Sequence, residues 1–293
     1  PYYVMNFRDE FKDKVIDYFV NEYVQARTPN PCIACNRYVK WESLLERSMM
    51  LGADYIATGH YARIEKLENG RYALRMSKTS AKDQTYALYN LTQDQLSKTL
   101  MPVGDYEKDE IREIAKKFNL RVANKPDSQE ICFVSDNDYA SFVENEIGKK
   151  MPEGNFVTAD GEILGKHRGI LHYTIGQRKG LGIALGHPIF VTEIRPETNE
   201  VVIGENDDVF GYSLEANNLN AMAVESFFDG MRAIGKIRYS HKGEHCTVKV
   251  LGEDRIRIDF DEKVRAITPG QAVVLYDESG LVLGGGTIIG RCD

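Results

Sequence analysis

The stretch Trp41–His60, WESLLERSMMLGADYIATGH, decides how the chain is built. WESLLERSMMLG reads as a helix stopped by Gly52, and ADYIATGH as a short buried strand that ends at Gly59. The same alternation runs outward toward the N-terminus. PYYVMNF has the texture of a strand, and DEFKDKVIDYFVNEYVQ places Phe11, Val15, Tyr18, Phe19 and Tyr23 on one helical face. Helices alternating with short apolar strands predict an α/β layer on a parallel sheet. In such sheets functional loops gather at the carboxyl ends of the strands, which is where Gly59 and His60 fall.

Between these elements RTPNPCIACN, residues 27–36, reads as a loop, because Pro29 and Pro31 interrupt a helix and push Thr28 and Asn30 toward extended geometry. Downstream, ARIEKLENGRYALRM carries Asn69-Gly70 between two alternating runs, which predicts a hairpin projecting from the sheet as an accessory. KDQTYALYNLTQDQLSKTL and DYEKDEIREIAKKFNL read as helices. The first holds a capping box at Thr92 and Gln95, the second an apolar register of Ile111, Ile114, Ala115 and Phe118. KPDSQEICFV, Lys125 to Val134, is a loop leading into a short apolar strand with Cys132 in it, and DNDYASFVENEIG is a helix closed by Gly148. Beyond it the texture turns to Gly-rich, strand-length pieces. From residue 211, GKIRYS, CTVKVL, RIRIDF and AVVLYD alternate at the spacing of a small β-barrel or sandwich. The expected divisions are 1–134, 135–210 and 211–293.

A length of 293 residues favours several domains over one. The net charge of -7 means that a nucleic acid would have to be met by a local basic patch. No run of 18 apolar residues and no basic-then-apolar leader occurs, so a soluble cytoplasmic protein without membrane partner is expected. An apolar run already under way at residue 2, without an initiator Met, suggests that the sequence begins inside a domain.

The five cysteines, at 32, 35, 132, 246 and 292, are odd in number and thinly spread, unlike a secreted disulfide framework. Cys246 and Cys292 read as packing residues. The Cys32/Cys35 pair has the spacing of half a zinc site, yet no second C-x-x-C accompanies it. A thioredoxin-like dithiol would follow a strand at a helix start, whereas this pair follows a helix and a proline loop. Cys132 reads either as a small core residue or, beside Lys125, Asp127 and Glu130, as a loop thiol. In the second case it can meet Cys35, 97 residues upstream, if both loops open at one sheet edge. Two thiols that meet permit persulfide transfer and disulfide release. EILGKHRGILHYTIGQRKGLGI gathers Lys166, His167, Arg168, His172, Arg178 and Lys179, the best phosphate-contact candidates in an acidic chain. Arg238 and Tyr239 offer a guanidinium and a ring for phosphate or base.

RTPNPCIACN, ADYIATGHYAR, KDQTYALYNL, DSQEICFV, HYTIGQRKGLGI and TPGQAVVLY with LGGGTI, in this order, closely resemble the bacterial-type tRNA-specific 2-thiouridylase family. The resemblance implies an N-terminal Rossmann-like PP-loop ATPase domain, a small central domain and a C-terminal β-barrel. It implies ATP- and magnesium-dependent sulfur transfer to C2 of the wobble uridine in the tRNA anticodon loop. The uridine would be adenylated, and the sulfur would come from a cysteine desulfurase or sulfur-carrier protein. Residue by residue, Cys35 matches the nucleophile and Cys132 the persulfide carrier. Asn30, Pro31 and Cys32 match the segment that meets the target base, and Gly59 an ATP contact. His60, Lys82, Asp83, Gln84, Arg238, Tyr239 and Gln271 match tRNA contacts.

This chain departs from the family's pattern twice. The SGGVDSS-type phosphate loop is absent from the sequence, so a protein beginning at Pro1 is expected to fail in ATP activation. Cys32 stands where some members carry Asp, and a thiol is a poorer proton acceptor near neutrality than a carboxylate-assisted water. The alternative from another class is a non-catalytic zinc or RNA-binding module.

Overall fold

The computed structural model describes residues 2–121, 123, 131–134 and 138–293. The expected loop partners of Cys132, Lys125, Asp127 and Glu130, lie outside the described residues. Two helices frame the first part. One runs over residues 8–24, with a π-helical middle at Lys12–Asp17, and buries Val15 and Phe19 as its apolar spacing predicts. The other runs over residues 31–50, opening as an α-helix at Pro31–Ala34 and widening to a π-helix at Cys35–Leu44. RTPNPCIACN is therefore a loop only up to Asn30. Proline at the first helical position costs no hydrogen bond, because that N–H is unpaired in any helix, and its fixed φ suits the first turn. The expected strand at PYYVMNF does not form: residues 2–7 have no sheet partner among the described residues, and Tyr2 and Val4 stand almost fully exposed.

The parallel sheet is represented by β1 (Ile56–Ala57) alongside β4 (Thr99–Leu100). Between them, β2 (Ala62–Lys66) and β3 (Tyr72–Met76) form the antiparallel hairpin predicted at Asn69-Gly70, with Gly70 at φ 82°. This hairpin is no projecting accessory. Ala73 and Leu74 are fully buried, and the Arg71 guanidinium donates to the carbonyls of Ala221 and Met222 at 2.8 Å. The stretch expected as one helix after Lys82 is broken into single turns at Ser80–Lys82 and Thr85–Ala87. The helix Gln93–Ser97 follows, with the Thr92/Gln95 capping box in place. Helix Lys108–Lys117 forms as predicted, but its apolar register is not core: none of its residues is buried, and Phe118 beyond it is 69% exposed.

Helix Tyr139–Ile147 ends at Gly148 in the left-handed conformation, as expected, and leans on the helix of residues 8–24 through Phe142 and Phe19. The central part is a four-stranded sheet, β6 (Ile163–His167), β5 (Gly154–Val157), β8 (Glu200–Gly204) and β7 (Phe190–Arg195) in spatial order. Six antiparallel strands then close into a barrel: β9 (Phe210–Ala221), β10 (Arg232–Lys236), β11 (Glu244–Gly252), β12 (Arg255–Arg265), β13 (Ala272–Tyr276) and β14 (Val282–Arg291). Of barrel and sandwich, the barrel is the outcome. Closure leaves no unpaired edge.

One apolar core joins the first part to the barrel: Trp41, Leu74, Tyr86, Leu88 and Leu91 pack with Met222, Val274, Tyr276 and Val282. The barrel also grips the loop that leads into the cysteines. Thr28 N–H donates to Pro269 O at 2.8 Å, and Gln271 Nε2 donates to Thr28 O at 2.7 Å. Gly270, at φ 88°, lets the two backbones touch, since a Cβ there would stand 3.0 Å from Thr28 N. Gly270→Ala is expected to lower unfolding stability by about 1–3 kcal/mol through the left-handed φ and this clash, as read by urea denaturation. An unchanged midpoint would refute the tight approach.

Candidate active site

The cysteine helix begins with a side-chain cap. Asn30 holds extended geometry and its Oδ1 accepts from Cys32 N and Ile33 N at 3.2 and 3.4 Å, satisfying amide groups that the first turn leaves open. Pro31 is buried beneath that turn, Cys32 opens outward, and Cys35 is half-buried at the start of the π-helical stretch. C-x-x-C thus sits at a helix start after all, though it follows a helix and loop and not a strand.

Cys132 comes from the other side. It stands exposed in a turn, not in the strand expected for CFV, and its neighbours fix it there. Phe133 packs against Phe11, Phe19 and Phe142 with ring centroids 5.3–5.6 Å apart, Val134 is buried, and Val134 N–H closes the turn on Ile131 O at 3.1 Å. Cys132 lies within electrostatic range of both Cys32 and Cys35. All five cysteines are free thiols. Desolvation by the surrounding protein pushes the Cys35 thiol up, Lys40 pulls it back, and Cys132 and Cys32 add to the rise. The Cys32 thiol is likewise raised, first by desolvation.

A cavity of 630 Å³ opens beside the helix start, and six expected site residues line it: Asn30, Cys32, Gly59, Lys82, Gln84 and Tyr239. Tyr61 and Lys108 line it as well, and neither stood out in the sequence. Lys108 is the first residue of an acidic-looking helix, so only its position over the Tyr61 ring, 5.2 Å from the centroid, marks it. Gln84 is oriented by accepting from Tyr61 N at 2.9 Å, and the Tyr239 ring stands edge-on to buried Tyr86 at 6.3 Å. A larger cavity of 810 Å³ lies between the central sheet and the barrel, lined by Thr158, His187 and Arg291 among others, and none of Cys32, Cys35 and Cys132 lines it.

The remaining expected residues act behind this surface. Asp83 is buried: its carboxylate accepts from Ser77 N at 2.9 Å and from Thr85 N at 3.2 Å. Burial raises its pKa, while those hydrogen bonds and Lys236 pull it down. Asp83 therefore braces the turn that presents Lys82 and Gln84. Gln271 is spent on Thr28, and Arg238 donates to Arg265 O at 2.6 Å. His60 Nδ1 lies 2.9 Å from Thr58 Oγ1, its Nε2 lies 3.4 Å from Lys40 Nζ, and its ring tilts against Trp41 at 5.3 Å. With an ammonium facing Nε2, that nitrogen accepts and Nδ1 carries the proton. In the basic stretch His167 is buried and structural. Its Nδ1 accepts from Gly169 N and its Nε2 therefore donates to Asn199 O, both at 3.0 Å, whereas Lys166, Arg168, Arg178 and Lys179 are exposed. No group of three or more His, Cys, Asp or Glu among the described residues is placed to hold a metal. That includes His241 and His245 despite their H-x-x-x-H spacing. No helix among the described residues is long and apolar enough to cross a membrane.

Three family descriptions match in succession: tRNA methyl transferase HUP domain over residues 1–136, tRNA methyl transferase PRC-barrel domain over 140–205, and aminomethyltransferase β-barrel domain over 213–288. Fold and site thus define a three-part protein in which a HUP-type α/β domain is joined to two β domains. The chain is 69% identical over 289 residues to the tRNA-specific 2-thiouridylase MnmA of Lachnoclostridium phytofermentans, covering 99% of this chain and 81% of that one. To the proteins of the same name from Clostridioides difficile and Clostridium kluyveri it is 56% and 53% identical, over 98% of this chain and 80% of each relative. It belongs to the tRNA-specific 2-thiouridylase family.

Burial first, and Lys40 second, depress the His60 pKa to about 4 from an ordinary 6.5. Between those values an unfolded chain takes up a proton that the folded one refuses, so this contribution to stability is lost as pH falls through that window. Ring NMR of His60 is expected to titrate near pH 4, and His60→Gln to flatten the acid limb of stability. A midpoint near 6.5 would sink the assignment.

Proposed function

We propose that this chain is a transferase that moves persulfide sulfur onto C2 of the wobble uridine at position 34 of tRNA, giving 2-thiouridine. The observation that carries this reading is that Cys132, Cys35 and Cys32 lie within electrostatic reach of one another, with Cys32 on the wall of a cavity of nucleotide size that presents Lys82, Gln84 and Tyr239. The names of the relatives support the substrate. Residues 1–134 carry the chemistry in this reading, while 135–210 and 211–293 hold the RNA. An anticodon-loop base is splayed out at lower cost than a duplex base. Within the cavity Tyr239 offers a stacking face, Gln84 an amide, and Lys82 and Lys108 charge for phosphates. His60, Arg238 and Gln271 support this surface from behind.

A uridine C2 carbonyl is a poor electrophile with a poor leaving group. The chemistry that ATP supplies when bound is adenylation of that oxygen, with magnesium offsetting phosphate charge. Gly59 fits such a ligand, because a Cβ there would meet nothing within 4 Å and the strand end stays open to close approach. Asn30 and Pro31 hold Cys32 at the cavity wall next to the target base. Cys132, exposed in its turn, is accessible to a desulfurase or sulfur carrier and receives sulfur as a persulfide.

Two routes then balance. In one, the terminal persulfide sulfur bonds to C2 as AMP departs, and the Cys35 thiolate attacks Cys132 Sγ. The S–S bond breaks, and its electron pair leaves on the sulfur now attached to the base. In the other, Cys35 attacks Cys132 Sγ first and releases hydrosulfide, which displaces AMP. Either route leaves a Cys35–Cys132 disulfide, which an external thiol must reduce before the next turnover.

In a protein that includes the phosphate loop ahead of Pro1, Cys35→Ser and Cys132→Ser are expected to abolish 2-thiouridine formation in an assay with tRNA, ATP and a persulfide donor, while Cys32→Ser retains a measurable rate. The reverse pattern would overturn the roles. Lys82→Ala is expected to weaken tRNA binding for all sequences and to reduce the slope of log affinity against log salt by about 1; a slope equal to wild type in filter binding would remove Lys82 from the interface.

A further inference from the structure

Lys40 is an ammonium held at the thiol site by neutral partners. Its Nζ donates to Asn36 Oδ1 at 2.9 Å and faces His60 Nε2 at 3.4 Å. Both partners are anchored: Asn36 is buried with Nδ2 on Ala87 O at 2.9 Å, and His60 is tied to Thr58. No carboxylate among the described residues pairs with Lys40, in contrast to the many lysines and arginines here that do pair. A partly buried cation without an acid to neutralise it keeps its field for whatever anion forms nearby.

The helix supplies the alignment. In an α-helix, residues five apart lie about 140° apart around the axis, which would turn Lys40 away from Cys35. The stretch Cys35–Leu44 is π-helical, and its wider i→i+5 turn brings Lys40 round toward the side of Cys35, where its Nζ is held on Asn36, the next residue in the chain, and its charge reaches both Cys35 and Cys32. The charges and thiols that act on Cys35 are Lys40, Cys132 from the turn at 131–134 and Cys32 from its own helix, with His60 beside Lys40 held neutral. Burial and the two other thiols oppose ionisation of Cys35, and Lys40 is the group that favours it.

We propose that Lys40 is the positioning residue of the sulfur-transfer site, placed by the π-turn to supply the positive charge that stabilises the Cys35 thiolate while it attacks the Cys132 disulfide-type sulfur. This rests on the sulfur-transfer reading for its purpose but not for its test, because the readout is the thiol itself. The Coulomb attraction lowers the cost of forming the anion and leaves the S–S chemistry unchanged. Protonating His60 would set a second cation against Lys40, so its neutrality is part of the arrangement.

The experiment is iodoacetamide labelling of the intact protein from pH 6 to 11, read at Cys35 by fragment-ion mass spectrometry, in wild type, Lys40→Met and Lys40→Arg. Lys40→Met is expected to slow labelling at pH 7 by roughly tenfold and to converge with wild type at high pH, where the thiol is ionised regardless. Lys40→Arg is expected to recover most of the neutral-pH rate, which separates charge from a folding defect, and thermal melts of each variant check the fold. If Lys40→Met leaves the pH profile in place, the proposal is overturned. If it moves only tRNA affinity, Lys40 is a phosphate contact and the proposal fails equally. Loss of transfer activity with an unmoved thiol profile would also count against it, whereas a shifted profile stands even if the substrate proves to be something other than tRNA.

Discussion

Tyr86 is fully buried between the first part of the chain and the barrel, with its hydroxyl donating to Ala272 O at 2.8 Å. Around it Thr85 Oγ1 meets Tyr276 Oη at 3.1 Å, and Leu74, Leu88 and Leu91 pack on Met222 and Val282. Each such side chain contributes about 1.5–3 kcal/mol on burial, and the contacts cross from one end of the sequence to the other. The site depends on this continuity. Lys82 and Gln84 ride on the turn that leads into Tyr86, Tyr239 packs edge-on to it from the barrel, and the barrel's Pro269–Gln271 segment holds Thr28 just ahead of the cysteine helix.

The acidic chain builds its basic cavity by burying an acid. Asp83 sits between Lys82 and Gln84, yet its charge is turned inward to Ser77, Thr85 and the field of buried Lys236. Lys82 and Lys108 line the opening together with Gln84 and Tyr239. The thiols follow a related logic. Desolvation raises the pKa of Cys32 and of Cys35, and at each of them Lys40 works against that rise.

Features written in local code were legible. Asn69-Gly70 marks its hairpin, Thr92 with Gln95 its capping box, Gly148 its helix end, and the alternating runs after residue 211 the barrel strands, because each depends on neighbours in sequence. The start of the cysteine helix was misread because proline is both a breaker and a favoured first residue, and only the Asn30 cap decides which. Lys40 was invisible to a 3.6-residue period, since the π-turn that brings it to Cys35 has no sequence signature in that scheme. Asp83 and His167 looked like contact residues and proved to be braces: apart from the Thr85 hydroxyl on Asp83, their partners at Ser77, Thr85, Gly169 and Asn199 are backbone groups that carry no residue-type signal. The apolar stripe of Lys108–Lys117 has the spacing of a core face, but spacing cannot say what lies opposite it.

Arg71 and Arg75 of the hairpin reach the barrel at Ala221, Met222 and Ser279, on the side of the shared core away from Gly270. A body pinned at two such points does not pivot. The span between the Tyr239 ring and the cysteine helix is then a fixed length, and the cavity behaves as a gauge. In the proposed reading, the RNA loop that seats best is the one whose base and flanking phosphates match that length.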